Sequence, residues 1–517
     1  MKKHLFFILV CLLISMFMVC TAAAEEEKEI LRDGDWRYRV LDDGTAEIVS
    51  YAVYIQEGHI SIPEQVNGIP VSSLGNKSFD YIHMDSVTIP DSVVSIGDNA
   101  FSNCDKLTEI KIPGNLRHVG VNPFCSCPNL VKIEVSESNP YLEMKDGALI
   151  SKEEKRLICH LFNYITFNGA GIVMNSYTVP GGVEIIGESA FYREKAAVEI
   201  VLPDSVTTID KYAFYGSDVR KVDLPGSLIS IGEQAFAECE SLMFITLPEN
   251  LETIGSYAFF RCSSLTEMSI PNSVRSVGDN PFGDCKYLKE AKVSPDHDYL
   301  ALVDHVLFSK PDRRLISFPC YTDVTEYTIP QGIRLISGQA FAFAESLRSV
   351  TIPDSVTEIG EEAFWYCTGI TGISIPESVV RVGKRAFFAC KSLVDITIPD
   401  TVTALESSAL GRCNKLQRVK LPDGLKEIGE YMFEWDECLN SVIIPQNLSS
   451  IGKYAFNQCH SLKNLEIPDS VSFIDPAAFN CCENLTLTVG RDSYAKQYCE
   501  ENGISYNYAD SLDWLND

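Results

Sequence analysis

The chain has 517 residues, a formal net charge of -28, an apolar fraction of 45% and 18 cysteines. A balance this acidic repels phosphate backbones and excludes nucleic acid as an expected partner. The apolar content is ample for a core, and a chain of this length would ordinarily divide into several domains.

Met1, Lys2 and Lys3 precede an apolar run from Leu5 to Val19, then Ala22, Ala23 and Ala24 and an acidic stretch. This is the pattern of a secretory signal over residues 1–24, cleaved after Ala24. The run falls short of the roughly 20 residues that a spanning helix needs, so no membrane insertion is expected after cleavage. Cys20 would suit a lipid anchor, but Val19 before it is bulkier than such a site accepts. Next, WRYRVLDDGTAEIV at residues 36–49 reads as a hairpin turning at Asp42, Asp43 and Gly44, within an N-terminal β cap over residues 25–61.

From there the chain repeats one phrase. IPDSVVSIGDNAFSNC at residues 89–104 returns as IPDSVTEIGEEAFWYC at residues 352–367. The proline of the phrase recurs at Pro90 and Pro113, at Pro180, Pro203, Pro225, Pro248 and Pro271, and from Pro330 to Pro468. Within each run the step is 23 residues, with a single 22 between Pro203 and Pro225. A period of this length marks a solenoid and lies in the leucine-rich-repeat range. Repeats are expected over residues 62–134, 177–292 and 327–489.

Within a copy, Ile110 and Ile112 alternate as in a strand with one buried face, and Pro113 ends the strand because it has no N–H for the ladder. A second apolar pair follows, such as Val93 and Ile96, and then Gly97 or its equivalents, read as a bend that tolerates positive φ. Asp210, Ser337, Glu406 and Asp475 depart from glycine there. Ala100-Phe101 and its equivalents place one aromatic in each turn, which stacking would bury as a column.

The phrase IxIPxSVxxIGxxAFxxCxxL, at residues 89–107 and 352–370, resembles the BspA-type bacterial leucine-rich repeat. The resemblance spans roughly residues 62–489. It implies a secreted or cell-surface protein of a host-associated bacterium that binds a macromolecule. The expected fold is a leucine-rich-repeat solenoid, α/β or mainly β: a curved right-handed coil of short strands in a parallel ladder, with short helical turns and two inserted β-hairpin modules.

The inserts lie at residues 135–176 and 293–326. Both follow an Asn-Pro-Phe, at Asn122 and at Asn280, and they share text: NPYLEMKDGALISKEEKRLI at 139–158 and HDYLALVDHVLFSKPDRRLI at 297–316. ALISKEEKRLI and VLFSKPDRRLI each read as strand, polar turn and strand. At the far end, Asp492 or Ser493 can cap a short helix stopped by Gly503, closing a C-terminal cap and acidic tail over residues 490–517.

Ten cysteines share one repeat column, from Cys104 and Cys127 to Cys459 and Cys482. All face the same way into the coil and are expected to be free, buried thiols; Cys481 with Cys499 is the expected bridge outside the column. Cys125 and Cys127 are too close in sequence for a zinc pair. No H-E-x-x-H, G-x-S-x-G, phosphate loop or Rossmann glycine pattern occurs, so neither catalytic residues nor a metal or cofactor site are expected.

Function must then sit where the copies differ. Val198, Val201, Met243 and Phe244 place apolar groups on an outward strand face otherwise rich in threonine and serine, and Tyr141 and Tyr299 mark the inserts. The expected activity is that of a monomeric, secreted or surface-exposed scaffold binding a protein or glycan. The alternative is a structural envelope protein that binds cell-wall glycan or associates with itself.

Overall fold

The computed structural model describes residues 29–52, 58–161, 167–168, 171–172, 175–195, 197–319 and 322–509. The expected signal, Cys320 and the end of the acidic tail lie outside them. The chain divides into two compact units, Met1–Met144 and Lys145–Asp517.

In the first unit the hairpin Trp36–Val40/Ala46–Tyr51 forms as expected, with Gly44 at φ 81 in its turn. Its second strand then pairs in parallel with Ile69–Leu74, so the cap is continuous with a ladder through Ser95–Ile96 and His118–Val119. The other ladder runs His59–Ser61, Ser86–Thr88, Glu109–Ile112 and Lys132–Val135. Between the ladders Phe79 stacks on Phe101 at 4.9 Å, and Phe101 on Phe124 at 5.9 Å.

The second unit repeats this cross-section. In the turn from Val222 to Leu242, the side chains of Val222, Leu228, Ile231, Phe236, Cys239 and Leu242 are all buried. Each turn alone would leave this face wet, so stability comes from stacking on its neighbours. Phe191, Phe214, Phe236 and Phe259 stack with each ring plane within 4° of the next.

Two features of the turn differ from expectation. The apolar pair after the proline is itself a strand of two residues, as in Thr208–Ile209, Ser230–Ile231 and Thr253–Ile254, and these form a second parallel ladder. Where short helical turns were expected, the Ala-Phe segment is a run of β-turns. Tyr212 and Gln234, two residues before the column phenylalanine, hold φ of 57° and 51°, and Glu238, two after, holds 58°. That left-handed backbone costs a non-glycine residue roughly 1 kcal/mol. It aims Tyr212 N–H, Phe214 N–H and Gly216 N–H at the carbonyls of Glu233, Ala235 and Ala237, 2.7–3.0 Å away in the next turn. A third seam of hydrogen bonds results.

The repeated glycine is not there for positive φ. A Cβ on Gly232 would lie 2.6 Å from Asp210 C and Lys211 N, and one on Gly383 2.6 Å from Glu361 N. Neither has positive φ; at these positions the adjacent turn approaches too closely for a side chain, whereas the turns holding Asp210, Ser337, Glu406 and Asp475 accept one at the same place.

The cysteine column is free and hydrogen-bonded, and all of it is buried except Cys482, which is half-buried. Cys239 Sγ–H donates to Phe214 O at 3.0 Å, Cys367 to Phe341 O at 2.9 Å and Cys459 to Phe433 O at 3.1 Å. Burial pushes the Cys239 and Cys390 thiols up to about 12, which removes the reactive thiolate. The expected Cys481–Cys499 bridge is absent: both are free, Cys481 exposed and Cys499 on the buried face of the terminal helix. Two column positions are acidic, Glu194 and Asp436. Asp436, fully buried, accepts Cys413 N–H on Oδ1 at 2.7 Å, while Oδ2 has no hydrogen-bond partner. Burial holds its carboxyl well above the ordinary carboxylate range.

The second insert has three strands, not two: Leu300–Val303, Val306–Ser309 and Arg314–Ser317, antiparallel. The first turn holds Asp304 and His305 at φ 49° and 65°, a type I′ signature. Asp146 and Gly147 in the first insert hold 49° and 82°; this Asp-Gly is a strong hairpin signal that the sequence reading passed over. The third strand then enters the second ladder beside Leu335–Ile336. Arg314 is the staple. Its guanidinium donates to Asp279 Oδ1 and Val277 O, each at 2.6 Å, and to Ser337 Oγ at 3.2 Å, tying the repeats on both sides of the insert. Asn280 Nδ2–H adds a bond to Gln339 O at 2.6 Å.

The chain ends as a capped coil. Ser493 Oγ accepts Lys496 N–H, the helix runs Tyr494–Asn502, and Gly503 ends it at φ 68°. A strand not expected from the sequence, Ser505–Tyr508, then adds a rung beside Thr486–Val489.

Three outcomes test this account. Thiol titration of the denatured, unreduced protein should label the whole column; fewer than about five reactive thiols would overturn it. A raised folded pKa at Asp436 means that the native state holds its proton longer, so its stabilisation is complete at low pH and is lost as pH rises past the ordinary carboxylate value of about 3.9. Asp436→Asn should therefore be more stable than the parent at pH 8, and the difference should vanish near pH 3 in urea melts; a constant difference would refute it. Arg314→Ala should cost about 2 kcal/mol and split the thermal transition of the second unit, where an unchanged single transition would count against the staple.

Candidate functional site

The strand Phe244–Ile245 lies in parallel register beside Lys221–Asp223, with Lys221 opposite Phe244 and Val222 opposite Ile245. Strand alternation turns Ile245 toward the core and Phe244 outward. Phe244 is 66% exposed, the most exposed large apolar side chain among the described residues, and Met243 beside it is 45% exposed. Lys221 Nζ reaches Asp223 at 2.8 Å, and this carboxylate holds the Lys221 ammonium above its usual range. Lys221, Asp223, Leu224, Phe244, Ile245 and Thr246 line a shallow open depression.

Val198 and Val201 do not extend this patch. Val201 faces Asp223 in the ladder, whereas Phe244 faces Lys221, so the ion pair separates the two apolar groups. Both valines are half-buried. The parallel ladder of these strands is also segmented. Phe244–Ile245 ends one ladder and Glu267–Ile270 begins another, with further breaks after Thr351 and Ile443.

Tyr141 and Tyr299 are half-buried at the bases of the inserts. Arg117 lies 5.2 Å above the Tyr141 ring, and Tyr299 packs against the core. Their N–H groups donate to Asn139 Oδ1 at 2.8 Å and to His297 Nδ1 at 3.2 Å. Asn139 and His297 also reach Pro113 O and Pro271 O, so an asparagine and a histidine anchor equivalent modules.

The sequence reading overlooked the edge that follows the phenylalanine column. Tyr192 and Tyr215 stack at 5.3 Å. Burial and the Glu238 carboxylate push the Tyr215 hydroxyl up to about 12. Phe260 and Phe343 lie 6.4 Å apart across the second insert, Phe343 meets Trp365 at 4.9 Å, and Tyr366 meets Phe388 at 6.5 Å. Arginines lie over these rings: Arg261 is 5.1 Å from Phe260 and 5.7 Å from Phe343, and Arg412 is 5.5 Å from Phe388. The signal was present in the phrases FYGSD, FFRC, FWYC and FEWDE, directly after the column residue. Chemically these surfaces offer docking contacts. Among the described residues no cluster of His, Cys, Asp and Glu could hold a metal ion.

A search of the curated proteins returns no match. Among solved structures, the chain is similar to a leucine-rich repeat protein from Eubacterium ventriosum at 19% identity, covering 87% of this chain and 93% of that one with a TM-score of 0.46. It is also similar to the pneumococcal vaccine antigen PcpA at 18% identity, covering 93% and 98% with a TM-score of 0.44. A leucine-rich cell surface protein from Faecalibacterium prausnitzii matches at 23% identity, over 95% and 98%, with a TM-score of 0.33. The family model described as BspA type leucine rich repeat region matches residues 58–146, 163–289, 316–437 and 357–486. With the stacked 23-residue turns, this match places the chain in the BspA-type leucine-rich-repeat family.

Proposed function

We propose that the protein is a secreted or cell-surface scaffold, without catalytic activity, that binds a protein or glycan partner through the outward strand face around Phe244. Export is the reading that the apolar N-terminal segment and Ala22-Ala23-Ala24 support. One observation carries the binding assignment: Phe244 is 66% exposed, beside exposed Met243, in a repeat whose recurring apolar groups Leu228, Ile231, Phe236 and Leu242 are buried in columns. An apolar patch rimmed by an ion pair such as Lys221–Asp223 is the usual composition of a docking site. Stacking does not require a phenylalanine at this outward position, since Glu199 and Lys221 hold it in the two preceding turns.

Phe244→Glu tests the assignment. Because the side chain is outside the core, the melting temperature should stay within about 2 °C. Recovery of an identified partner from matrix proteins or envelope fractions on the immobilised chain should fall about tenfold or more, as for a hot-spot truncation. Undiminished recovery refutes the Phe244 face, and loss of fold refutes its description as free of structural work.

A further inference from the structure

The N-terminal hairpin and the second insert are one device built twice. Leu31–Asp33, Trp36–Val40 and Ala46–Tyr51 match Leu300–Val303, Val306–Ser309 and Arg314–Ser317: three antiparallel strands, of which the last enters a parallel ladder. The irregularity in their pairing falls at the same place, between Arg37 and Tyr38 in one and between Leu307 and Phe308 in the other. Tyr38 then pairs with Ile48, and Phe308 with Leu315. In the turn that follows, Gly75 N–H donates to Ile48 O at 2.8 Å and Ser337 N–H to Leu315 O at 3.0 Å. The first copy caps the start of a coil, so the second is a cap set inside one.

The two copies differ on the rear face. Strand alternation puts Tyr38 and Ile48 on the forward face, where both are buried, and Arg37 on the rear face, where it is exposed. A polar rear face is what the end of a coil requires. At the place of Arg37 the insert carries Leu307, which is buried. Its forward residues Val306, Phe308 and Leu315 belong to the core that runs on to Cys499, whereas Leu300, Leu307 and Ile316 belong to the core that runs back to Ala148. The insert therefore closes one core and opens the next.

Among the described residues no backbone hydrogen bond joins residues 177–292 to residues 299–509. Side chains make the crossing. Arg314 and Asn280 reach over as described above, Ser317 Oγ–H donates to Asn280 Oδ1 at 2.5 Å, and His297 Nε2–H donates to Pro271 O at 3.2 Å. Within a stretch, by contrast, each turn shares its core and its backbone seams with the next, so loss of one turn strips its neighbours. We propose that the second insert is a partition that stops loss of structure in residues 327–489 from spreading to residues 177–292, and the reverse. The side-chain bridges keep intact stretches melting together, and a charge forced into one core outweighs them. This role is independent of the Phe244 face, and either can fail without the other.

The test places one lesion at a time in the chain from residue 25 and follows amide hydrogen exchange by mass spectrometry. Leu416 and Leu265 are fully buried, one in each core. Leu416→Asp should speed exchange about a hundredfold or more throughout residues 327–489, and less than about threefold in residues 177–292. Leu265→Asp should do the reverse. Leu307→Arg, which copies the N-terminal cap, should loosen the end of the earlier stretch and leave residues 327–489 protected. If a charged variant is not recovered, Leu416→Ala and Leu265→Ala in moderate urea give the same reading. Equal loss of protection in both stretches from either lesion overturns the partition. Loss confined to the turns that touch the lesion also overturns it, because there would then be no cooperative stretch to stop.

Discussion

Everything in this molecule depends on how closely one turn of the coil lies on the next. At Gly232 and Gly383 the backbone of the preceding turn lies where a Cβ would have to be. That approach lets three seams of hydrogen bonds close together: the proline-terminated strands, the two-residue strands, and the left-handed segment around the phenylalanine. The left-handed residues are costly one by one, and they persist because each aims an N–H at a carbonyl of the next turn. The aromatic column and the thiol column then follow from the spacing. Rings about one turn apart can stack only in parallel, and a small buried group with a donor fits beside the carbonyl of the turn before.

Where the backbone cannot supply a partner, a polar side chain does. Arg314 and Asn280 bridge the ladder where the second insert leaves it. Asn139 and His297 satisfy equivalent groups with different chemistry. In the first insert His160 Nδ1 bonds Glu194 at 2.8 Å, with both side chains buried. At the matching positions after the second insert, Phe318 and Ala344 are also buried but apolar. One interior site thus accepts either an apolar pair or a hydrogen-bonded polar pair, the latter leaving His160 Nε2 without a hydrogen-bond partner.

Much of the coil was legible before any coordinates. The proline period, the inward Ile110 and Ile112, the cysteine column and the Ser493 cap follow from local rules that each copy states again. Other parts were legible and missed. Asp146-Gly147 announces its turn, and counting back from proline places Phe244 four residues before Pro248 but Val201 two before Pro203, on different rows. The two-residue strands could not be read this way, because Ser230–Ile231 is too short to show a period. The reach of Arg314 to Val277 and Asp279 joins residues separated by an insert, and no local pattern encodes it.

The repeat of the amino acids is enough to require a coil, since no single copy can bury its own apolar face and every copy offers its neighbour the same one. It also assigns each recurring residue to the interior, because burial must match from turn to turn. Which glycine property is used, which thiols stay unpaired, where the ladders break and which rings share the outer edge are settled by distances between turns. Those distances arise only once the copies are stacked. Val201 and Phe244, both apolar and outward, were alike as letters and are held apart by Lys221 and Asp223 in the fold.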